Sequence, residues 1–310
     1  MNNKLIVRLN NKVWIFLVVI KKSVIMKFIT VLLLLAAFST EPPADFKTLI
    51  GKKNLKKFQK DYSYIPSGTI KYDDKKISVA GFFMHQTEVS NLDYREFLQD
   101  VKKIGDNTLL EKVDFIQNDS DQKSIYKTYH NHPAFNDYPV FNISHFAAKE
   151  YCKWLETKLS KEYEINVNDI QVRLPSRAEW TYAAKGGRDL APYPWEGYYT
   201  RNANGKVLAN FNSDIGTHNI TLNQETGEYE IVNDPAEDVN KMAAPVKTYY
   251  PNEYGLFNMS GNASEMVNEE GIAMGGSWMS TGYDIRVTSE YKYTKANAQV
   301  GFRPIVSFRS

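Results

Sequence analysis

Few side chains in this sequence of 310 residues have an obvious capacity for chemistry, and the single cysteine is the first of them. One cysteine allows no intramolecular disulfide and no cysteine-based zinc or iron–sulfur site. Cys152 stands at helical spacing from Ala148, Tyr151 and Leu155. This pattern predicts a thiol packed in a core, and it favours a structural residue over a nucleophile.

The histidines give only a weak indication of a metal site. His130 and His132 have the spacing of two ligands, although such a pair more often lies in a surface loop. Neither His85 nor His145 has a matching partner at a ligand spacing. These histidines therefore do not predict a metal centre.

The charge of the chain is nearly balanced, with 38 basic residues against 36 acidic ones and a formal net charge of +2. Such a balance gives no reason to expect nucleic acid as a partner. Residues 1–39 hold six of the basic residues and no acid, so the remainder carries a net charge of −4. Hydrophobic residues make up 43% of the chain, which is typical of a globular protein.

The N-terminus has the layout of an export signal. Met26 and a lysine precede an apolar run at 28–38, and a small-x-small pattern ends at Ser39. We predict that 1–39 is a signal peptide with Met26 as its true start, and that the protein is periplasmic, outer-membrane-associated or secreted. The alternative is an uncleaved signal anchor that also covers the run at 13–20, and it is the only membrane contact expected. No cysteine follows the run, which disfavours a lipid anchor.

Residues 40–63 contain two prolines and six lysines, and this composition predicts a solvated basic linker. We predict one domain over 64–310. The β-branched and aromatic runs at 69–72 and 77–84, with a polar turn between them, predict a hairpin. The polar stretch at 105–131 is predicted to be an irregular surface insertion.

Three helices are indicated by their N-terminal signals. Ser90 with Asp93 and Ser176 with Glu179 form capping-box patterns, and Ser144 is a good N-cap for the third helix. Regular periodicity is lost after residue 187, where Gly, Pro, Asn and aromatic residues dominate. Few helices and many loops do not fit a parallel α/β sheet, so the sequence predicts a loop-rich α+β domain.

Eight short motifs occur in order between residues 64 and 307. They are FMHQTEVSN at 83–91, HP at 132–133 with PV at 139–140, YCKW at 151–154, RLPSRAEW at 173–180, YPW at 193–195, YGLFNMSGN at 254–262, GGSW at 275–278 and GFR at 301–303. Together they resemble the formylglycine-generating enzyme (sulfatase-modifying factor) domain family. The resemblance implies the formylglycine-generating-enzyme fold, which is related to C-type-lectin-like folds and has little regular secondary structure.

Active members of that family oxidise a cysteine to formylglycine with O₂, using copper(I) held by two thiolates. In this sequence the two ligand positions are occupied by Ser280 and Ile285. Copper(I) is soft and prefers thiolate, so neither residue replaces the expected ligand. An expected tryptophan is Ser264 and an expected histidine is Thr281, whereas Ser277 of the family's active site is retained. The sequence therefore predicts a degenerate site that does not favour copper and does not perform the family's reaction.

The resemblance also implies two structural Ca²⁺ sites, whose positions carry oxygen donors in this sequence. The first set is Asn210, Phe211 (backbone), Asp238 and Asn240 (backbone), and the second is Asn258, Met259, Gly261 and Ala263 (backbones) and Glu265. Ca²⁺ requires hard oxygen ligands, which these side chains supply. Loop residues of the same types also serve as turn and capping residues, and the loop at 213–237 can reshape the first set.

The charged residues of the remaining motifs are expected to form buried ion pairs that hold loops in place, since an unpaired buried charge is costly. These residues are Glu88, Arg173, Glu179 and Arg303.

The sequence favours a non-enzymatic function, in which an exported, calcium-stabilised domain binds or assembles with a partner of the cell envelope. The expected partner is an envelope or secreted protein or a glycan. The resemblance implies precedents, because gliding-motility and type IX secretion lipoproteins carry such domains without copper cysteines and lectin-like relatives display binding loops. Two alternatives stay open: an oxidoreductase of the family with altered metal or substrate use, and formylglycine synthesis without the copper pair.

Overall fold

The computed structural model describes residues 41–42, 44–116, 128–212, 219–222, 229–232 and 242–309. The predicted signal peptide at 1–39 and most of the loop at 213–237 lie outside these residues, as does the middle of the predicted insertion. The compact unit described here begins at Pro42.

Helices and strands alternate irregularly along the chain. The helices are α1 (Ala44–Ile50), α2 (Lys52–Phe58), α3 (Asn91–Ile104), α4 (Asn107–Val113), α5 (His145–Tyr163) and α6 (Arg177–Ala184), with 3-10 turns at Pro133–Phe135 and Val167–Asp169. The strands are β1 (Tyr62–Ile65), β2 (Gly68–Tyr72), β3 (Lys75–Val79), β4 (Phe82–His85), β5 (Ile170–Arg173), β6 (Asn219–Leu222), β7 (Tyr229–Val232), β8 (Ser264–Met266), β9 (Ile272–Met274), β10 (Glu290–Lys292), β11 (Val300–Phe302) and β12 (Ile305–Phe308). Long loops join these short elements, so the predicted loop-rich α+β class is confirmed.

Two four-stranded sheets organise the described part of the domain. The first has the order β1-β4-β12-β5 and is antiparallel throughout. The second has the order β10-β9-β8-β11, in which β11 runs parallel to β8. Because β11 and β12 are separated by only two residues, the chain passes directly from one sheet to the other.

The predicted hairpin forms between β2 and β3, where Tyr72 pairs with Lys75 across a two-residue turn. Asp73 and Asp74 both have positive φ, at 47° and 58°, which matches the turn that a right-twisted hairpin prefers. The second predicted run does not stay in one strand. It ends with β3 at Val79 and resumes as β4, which belongs to the first sheet.

The three helix starts read from the sequence are confirmed. Ser90 and Asp93 cap α3 reciprocally, and Ser176 and Glu179 do the same for α6. The Ser144 side chain accepts the backbone N–H of the third helical residue of α5. Each cap satisfies backbone donors that a helix terminus otherwise leaves without partners.

The segment predicted as a basic linker is instead part of the folded unit. Phe46 and Ile50 of α1 and Phe58 of α2 are buried in the main hydrophobic core, where Phe46 and Phe58 both contact Phe83 of β4. The lysines of α2 are exposed, so this helix has a basic face towards solvent and an apolar face towards the core. The domain therefore begins near Pro42, upstream of the predicted boundary at residue 64.

The predicted irregular insertion also contains regular structure. Asp106 caps α4, and the hydroxyl of Tyr94 donates to the carbonyl oxygen of Val113 at 2.6 Å. This contact joins the end of α4 to α3. The prediction of an irregular loop was wrong over Asn107–Val113. The few apolar residues of this short segment pack against the main core, and this contact exists only in the tertiary structure.

Candidate functional site

The loop that follows β9 carries the residues predicted as a degenerate site. It begins with Gly275 and Gly276, whose φ angles are +83° and +66°. A Cβ on Gly275 would lie 2.7 Å from the Trp180 ring, and a Cβ on Gly276 would lie 2.6 Å from the Asp284 carbonyl oxygen. Only glycine tolerates both the backbone angle and the close approach, so the pair fixes the path of the loop.

Ser277 is fully buried at the start of this loop and its hydroxyl is saturated by neighbours. The hydroxyl donates to Gln299 Oε1 at 3.1 Å and accepts the backbone N–H of Met279 at 3.2 Å. Its backbone N–H donates to the hydroxyl oxygen of Ser280 at 2.9 Å. The structure therefore brings two of the predicted site residues together and shows that they organise the loop.

Thr281 and Ile285 complete the loop in different ways. The Thr281 hydroxyl donates to the Asp284 carboxylate at 2.7 Å, and the Thr281 carbonyl accepts the backbone N–H of Ile285 at 3.2 Å. Ile285 is fully buried in a small apolar cluster with Tyr193, Ala209 and Phe211. Its alkyl side chain fills space and offers no ligand atom.

Gln299 is the functional neighbour that sequence reasoning missed. It lies 22 positions beyond Ser277, just before β11, and its amide accepts the buried Ser277 hydroxyl. Its backbone carbonyl also accepts the N–H of Ser264, the residue that stands where a tryptophan was expected. Nothing in the local sequence around residue 299 indicates this role, since the contact depends on how β11 pairs with β8.

The second predicted Ca²⁺ set lies in the loop before β8 and within β8 itself. Its carboxylate, Glu265, is fully buried and accepts hydrogen bonds from two neighbours. Arg303 donates Nη2 to Glu265 Oε1 at 2.6 Å and Nε to Oε2 at 3.0 Å, and Trp180 donates Nε1 to Oε2 at 2.7 Å. The guanidinium occupies the side of the carboxylate that a cation would use, so Glu265 in this arrangement does not fit a Ca²⁺ ligand.

The amide of Asn258 is placed differently from Glu265. Its Nδ2 donates to the Val246 carbonyl at 3.1 Å and to Glu88 Oε2 at 3.2 Å, whereas its buried Oδ1 has no hydrogen-bond partner among the described residues. Burial raises the pKa of Glu88 above its ordinary range, although the charge of Arg303 opposes this shift. One arginine thus faces two buried carboxyl groups, and Glu265 is the one that it neutralises directly.

The first predicted Ca²⁺ set is only partly described. Asn210 is buried and donates its Nδ2 to the Met242 carbonyl at 3.0 Å and to Asn262 Oδ1 at 3.1 Å. A Cβ on Gly261 would lie 2.3 Å from the Asn210 carbonyl oxygen, so the two predicted sets are in contact. Asp238 and Asn240 lie outside the described residues.

The charged residues predicted to form buried ion pairs do so in part: Arg303 has a fully buried partner, whereas the pair of Arg173 and Glu179 is partly exposed. Arg173 makes a two-point ion pair with Glu179, with nitrogen–oxygen distances of 2.8 and 2.7 Å. Arg303 and Glu265 form the fully buried pair of the molecule's centre, and Arg303 also donates to the carbonyls of Gln86 and Phe257. These bonds tie three separate loops to one guanidinium.

Cys152 and the histidines lie apart from this loop and take structural positions. Cys152 is buried in the main core, as predicted, and burial raises the pKa of its thiol. His130 is buried against the Phe115 ring with a centroid distance of 3.9 Å, whereas His132 is exposed. Among the described residues, no three His, Cys, Asp or Glu side chains cluster as a metal site would require.

Comparison with known proteins places these features in a family. The chain matches the sulfatase-modifying factor enzyme 1-like domain over residues 48–308. The chain belongs to this family.

The relatives of this chain include a protein named as a formylglycine-generating enzyme and one named as inactive. The chain is 27% identical to the formylglycine-generating enzyme of Bos taurus over 219 residues, which cover 63% of this chain and 50% of that protein. It therefore spans half the length of that relative. It is 23% identical to the inactive C-alpha-formylglycine-generating enzyme 2 of Bos taurus over 269 residues, which cover 74% of this chain and 78% of the relative.

The solved structure of PvdO from Pseudomonas aeruginosa has the same fold. It superposes with a TM-score of 0.51 at 16% sequence identity and covers 79% of this chain and 93% of that structure. This likeness supports the fold alone.

The two residues at the predicted copper-ligand positions do not fit copper(I). One is the Ser280 hydroxyl, which accepts a hydrogen bond from Ser277, and the other is the buried alkyl group of Ile285. Soft copper(I) prefers thiolate donors, and the only cysteine of the chain is packed in α5. No step of a copper mechanism can therefore be assigned to these residues.

An aromatic surface lies beside the degenerate loop of this family member. The hydroxyl of Tyr193 donates to the Gly282 carbonyl at 2.8 Å, and the Tyr193 ring stacks on Trp195 at 4.9 Å. Trp195 donates its Nε1 to the Tyr199 carbonyl at 2.8 Å. Tyr193 thus joins two loops that carry exposed side chains, Tyr198 and Tyr199 in one and Met279 and Tyr283 in the other.

No helix in the part of the chain that the structure describes combines the length and apolar character needed to cross a bilayer.

Proposed function

We propose that this sulfatase-modifying factor family member is an exported binding or assembly module of the cell envelope and does not generate formylglycine. The observation that carries the proposal is the pair at the copper-ligand positions. Ser280 is committed to the Ser277 backbone, and Ile285 is committed to an apolar cluster. Both side chains already have partners within the protein, and this supports a structural role for the loop.

The aromatic surface beside this loop supports a binding role. Tyr198, Tyr199 and Tyr283 are each more than half exposed, and Met279 is 48% exposed. Exposed aromatic residues are costly to leave in water and are the side chains that dominate binding interfaces. The proposed partner is an envelope or secreted protein or a glycan, since tyrosine rings can stack on sugars as well as on apolar side chains.

The family relatives support the same proposal. One relative is an active formylglycine-generating enzyme by name and another is named as inactive, so the family includes members without the reaction. This chain shares the domain with both, and its residues 280 and 285 lack the thiols that the reaction needs.

We further propose that Ca²⁺ stabilises the domain through the first predicted set, at Asn210 and Asp238. Asn210 is buried at the centre of the loops that surround the site, and its backbone carbonyl accepts the N–H of Asn262 at 2.7 Å. A cation at this position would hold the two loops together, as Ca²⁺ does in irregular folds. The proposal does not extend to Glu265, whose carboxylate is satisfied by Arg303.

A direct assay tests the absence of the family reaction. The full chain would be incubated with a Cys-x-Pro-x-Arg peptide, copper(I), a reductant and air, and the peptide mass would be followed. A formylglycine-generating enzyme in a parallel reaction shows that the conditions support turnover, and circular dichroism shows that the chain is folded.

We expect no formylglycine from the native chain or from Ser277→Ala, since no thiolate pair is present. Formylglycine from the native chain that is lost in Ser277→Ala would overturn the proposal, because the loop would then oxidise cysteine without the two thiolates.

A further inference from the structure

A second concave site of the domain is a cleft of about 530 Å³. Helices α3 and α5 form its two walls, and β1 and β4 lie at its base. The loop at 245–247 borders the cleft. None of the residues predicted for copper or Ca²⁺ lines it, so it is separate from the degenerate loop.

Negative charge dominates the lining of this cleft. Its charged side chains are Asp61, Asp93, Glu96, Asp137, Glu162, Lys158 and Lys247. Glu96 pairs with Lys158 at 2.7 Å, and Glu162 pairs with Lys57 at 2.8 Å. The structure gives the carboxylates of Asp61 and Asp137 no ion pair or hydrogen bond with the described residues, which leaves two acids available to a ligand.

Two buried tyrosines provide an independent indication of a ligand. Tyr62 and Tyr151 line the cleft and are 5% and 4% exposed, yet neither hydroxyl has a hydrogen-bond partner among the described residues. Neither hydroxyl oxygen is itself enclosed, so both open to the cleft and can accept an N–H from a ligand there. Burial and then the nearby acids raise the pKa of both phenols, because the local field opposes further negative charge.

His85 adds an acceptor to the same surface. Its Nδ1 lies 2.8 Å from the Thr87 carbonyl oxygen, which can only accept, so Nδ1 carries the proton and Nε2 is an acceptor. Burial lowers the pKa of His85 and keeps the ring neutral. An N–H-rich ligand can therefore donate to His85 Nε2 as well as to the phenol oxygens.

Apart from Thr87 and Ser90, the rest of the lining is apolar or aromatic and suits the carbon chain of such a ligand. Lys158 shows within the protein how this lining can hold an ammonium group. Its ammonium lies 4.9 Å from the Trp154 ring centroid and pairs with Glu96. A metal ion is disfavoured, because the described acids do not cluster at ligand distances.

We propose that this cleft binds an organic cation, an ammonium or guanidinium group carried on an alkyl chain, through Asp61, Asp137 and the hydroxyls of Tyr62 and Tyr151. The cation is either a free amine or a lysine or arginine side chain of a partner, which share the same chemistry. The inference concerns a different site from the aromatic surface and holds whether or not the serine loop is catalytic.

Calorimetric titration of the full chain tests the proposal. The probes are 1,5-diaminopentane, its uncharged analogue 1,5-pentanediol, a short lysine-containing peptide and the same peptide acetylated on lysine. We expect the cationic probes alone to bind, and more weakly at high salt. Preference for the diamine would indicate a free amine, and preference for the lysine peptide would indicate a protein partner.

Three variants identify the site. Tyr62→Phe removes only a hydroxyl without a partner, and the single variants Asp61→Asn and Asp137→Asn each remove one unpaired charge. The fold should therefore be retained in all three. Each change should weaken binding about tenfold, as the loss of one charge-assisted hydrogen bond does. Asp189→Asn, an exposed acid outside the cleft, is the matched control and should leave binding unchanged.

Absence of binding by every cationic probe up to about 10 mM would overturn the proposal, since affinity that weak is negligible. Equal binding by all variants, or equal binding of 1,5-pentanediol, would do the same.

Discussion

At the residue scale, one guanidinium decides the charge balance of the protein's interior. Arg303 is fully buried and contacts two carboxyl groups, at 2.6 Å from Glu265 and 3.8 Å from Glu88. One positive charge can neutralise only one of two carboxylates, and burial raises the pKa of Glu88, which favours its protonated form. We therefore predict that the two glutamates differ in charge although they lie in one cluster.

The isosteric substitutions Glu265→Gln and Glu88→Gln test this assignment. Glu265→Gln leaves a buried arginine without its partner and should lower the free energy of unfolding by about 3 kcal/mol or more. Glu88→Gln keeps a neutral group and should cost about 1 kcal/mol, from altered bonds with Asn258 and Asn262. Urea unfolding measures both, and equal losses would contradict the assignment.

His130 makes a separate contribution that depends on pH. Burial, helped by the charge of Arg95, lowers the pKa of His130 to about 3, whereas the unfolded value is about 6.5. The unfolded chain therefore binds the proton more tightly, so stability is complete above about pH 6.5 and falls as pH decreases towards about 3.

The expected loss from this histidine is about 1.4 kcal/mol for each pH unit below 6.5. Urea unfolding of the native chain and of His130→Gln at pH 7.5 and 5.5 measures it, because the variant should lose less stability between the two values. His132→Gln, an exposed histidine two residues away, is the control and should follow the native chain. Parallel curves for the native chain and His130→Gln would rule out this contribution.

At the element scale, the two N-terminal helices complete the core that the sheet begins. The Phe58 ring stacks on Tyr62 at 4.4 Å and meets Phe83 and Tyr163 edge-on. These contacts attach α2 to β1, β4 and α5, so α2 also holds the base of the acidic cleft in place. A lysine-rich segment is therefore structural because of its few aromatic residues.

Phe58→Ala should lower the free energy of unfolding by about 3 kcal/mol, since it removes a fully buried ring from several aromatic contacts. The matched control is Lys56→Ala in the same helix, which is exposed and should change stability by no more than about 0.5 kcal/mol. Chemical denaturation compares the two. Similar small effects would show that α1 and α2 are an attached tether, as the lysine content first suggested.

At the scale of the whole molecule, long loops join the short described elements, and buried side chains bond to the backbone of these loops. Asn262 is an example. Its side-chain amide donates to Glu88 Oε1 at 2.8 Å and to the Ala244 carbonyl at 3.2 Å, and its backbone carbonyl accepts the N–H of Trp278. Such bonds replace the ladders of a larger sheet. The proposed Ca²⁺ at Asn210 and Asp238 would add a further link between these loops.

Chelation measures the contribution of Ca²⁺ to the whole fold. Saturating Ca²⁺ should raise the Tm of the native chain by about 5 °C over its value in chelator, because a ligand bound only to the native state stabilises it. Asp238→Asn should abolish most of this difference, and Asp189→Asn should retain it. A native chain whose Tm does not respond would contradict the calcium proposal, and a full response in Asp238→Asn would contradict the assignment of the ion to Asp238.

The sequence by itself determined what depends on neighbouring residues and on residue type. The caps at Ser90 and Ser176 and the turn at 73–74 follow from local backbone hydrogen bonding, so their prediction succeeded. The serine and isoleucine at 280 and 285 exclude thiolate ligands wherever the loop lies. The ordered motifs predicted the family, because each keeps its residues at fixed local spacing.

Only the tertiary structure decided which distant charges and rings meet. Glu265 is a hard oxygen donor in the sequence, yet its partner proves to be Arg303, 38 residues further along. Asp61 and Asp137 come from separate loops, and the cleft between them exists only once α3 and α5 pack over β1 and β4. The physical reason is that electrostatic and packing energies depend on distances of a few ångströms, which residues far apart in the chain acquire only on folding.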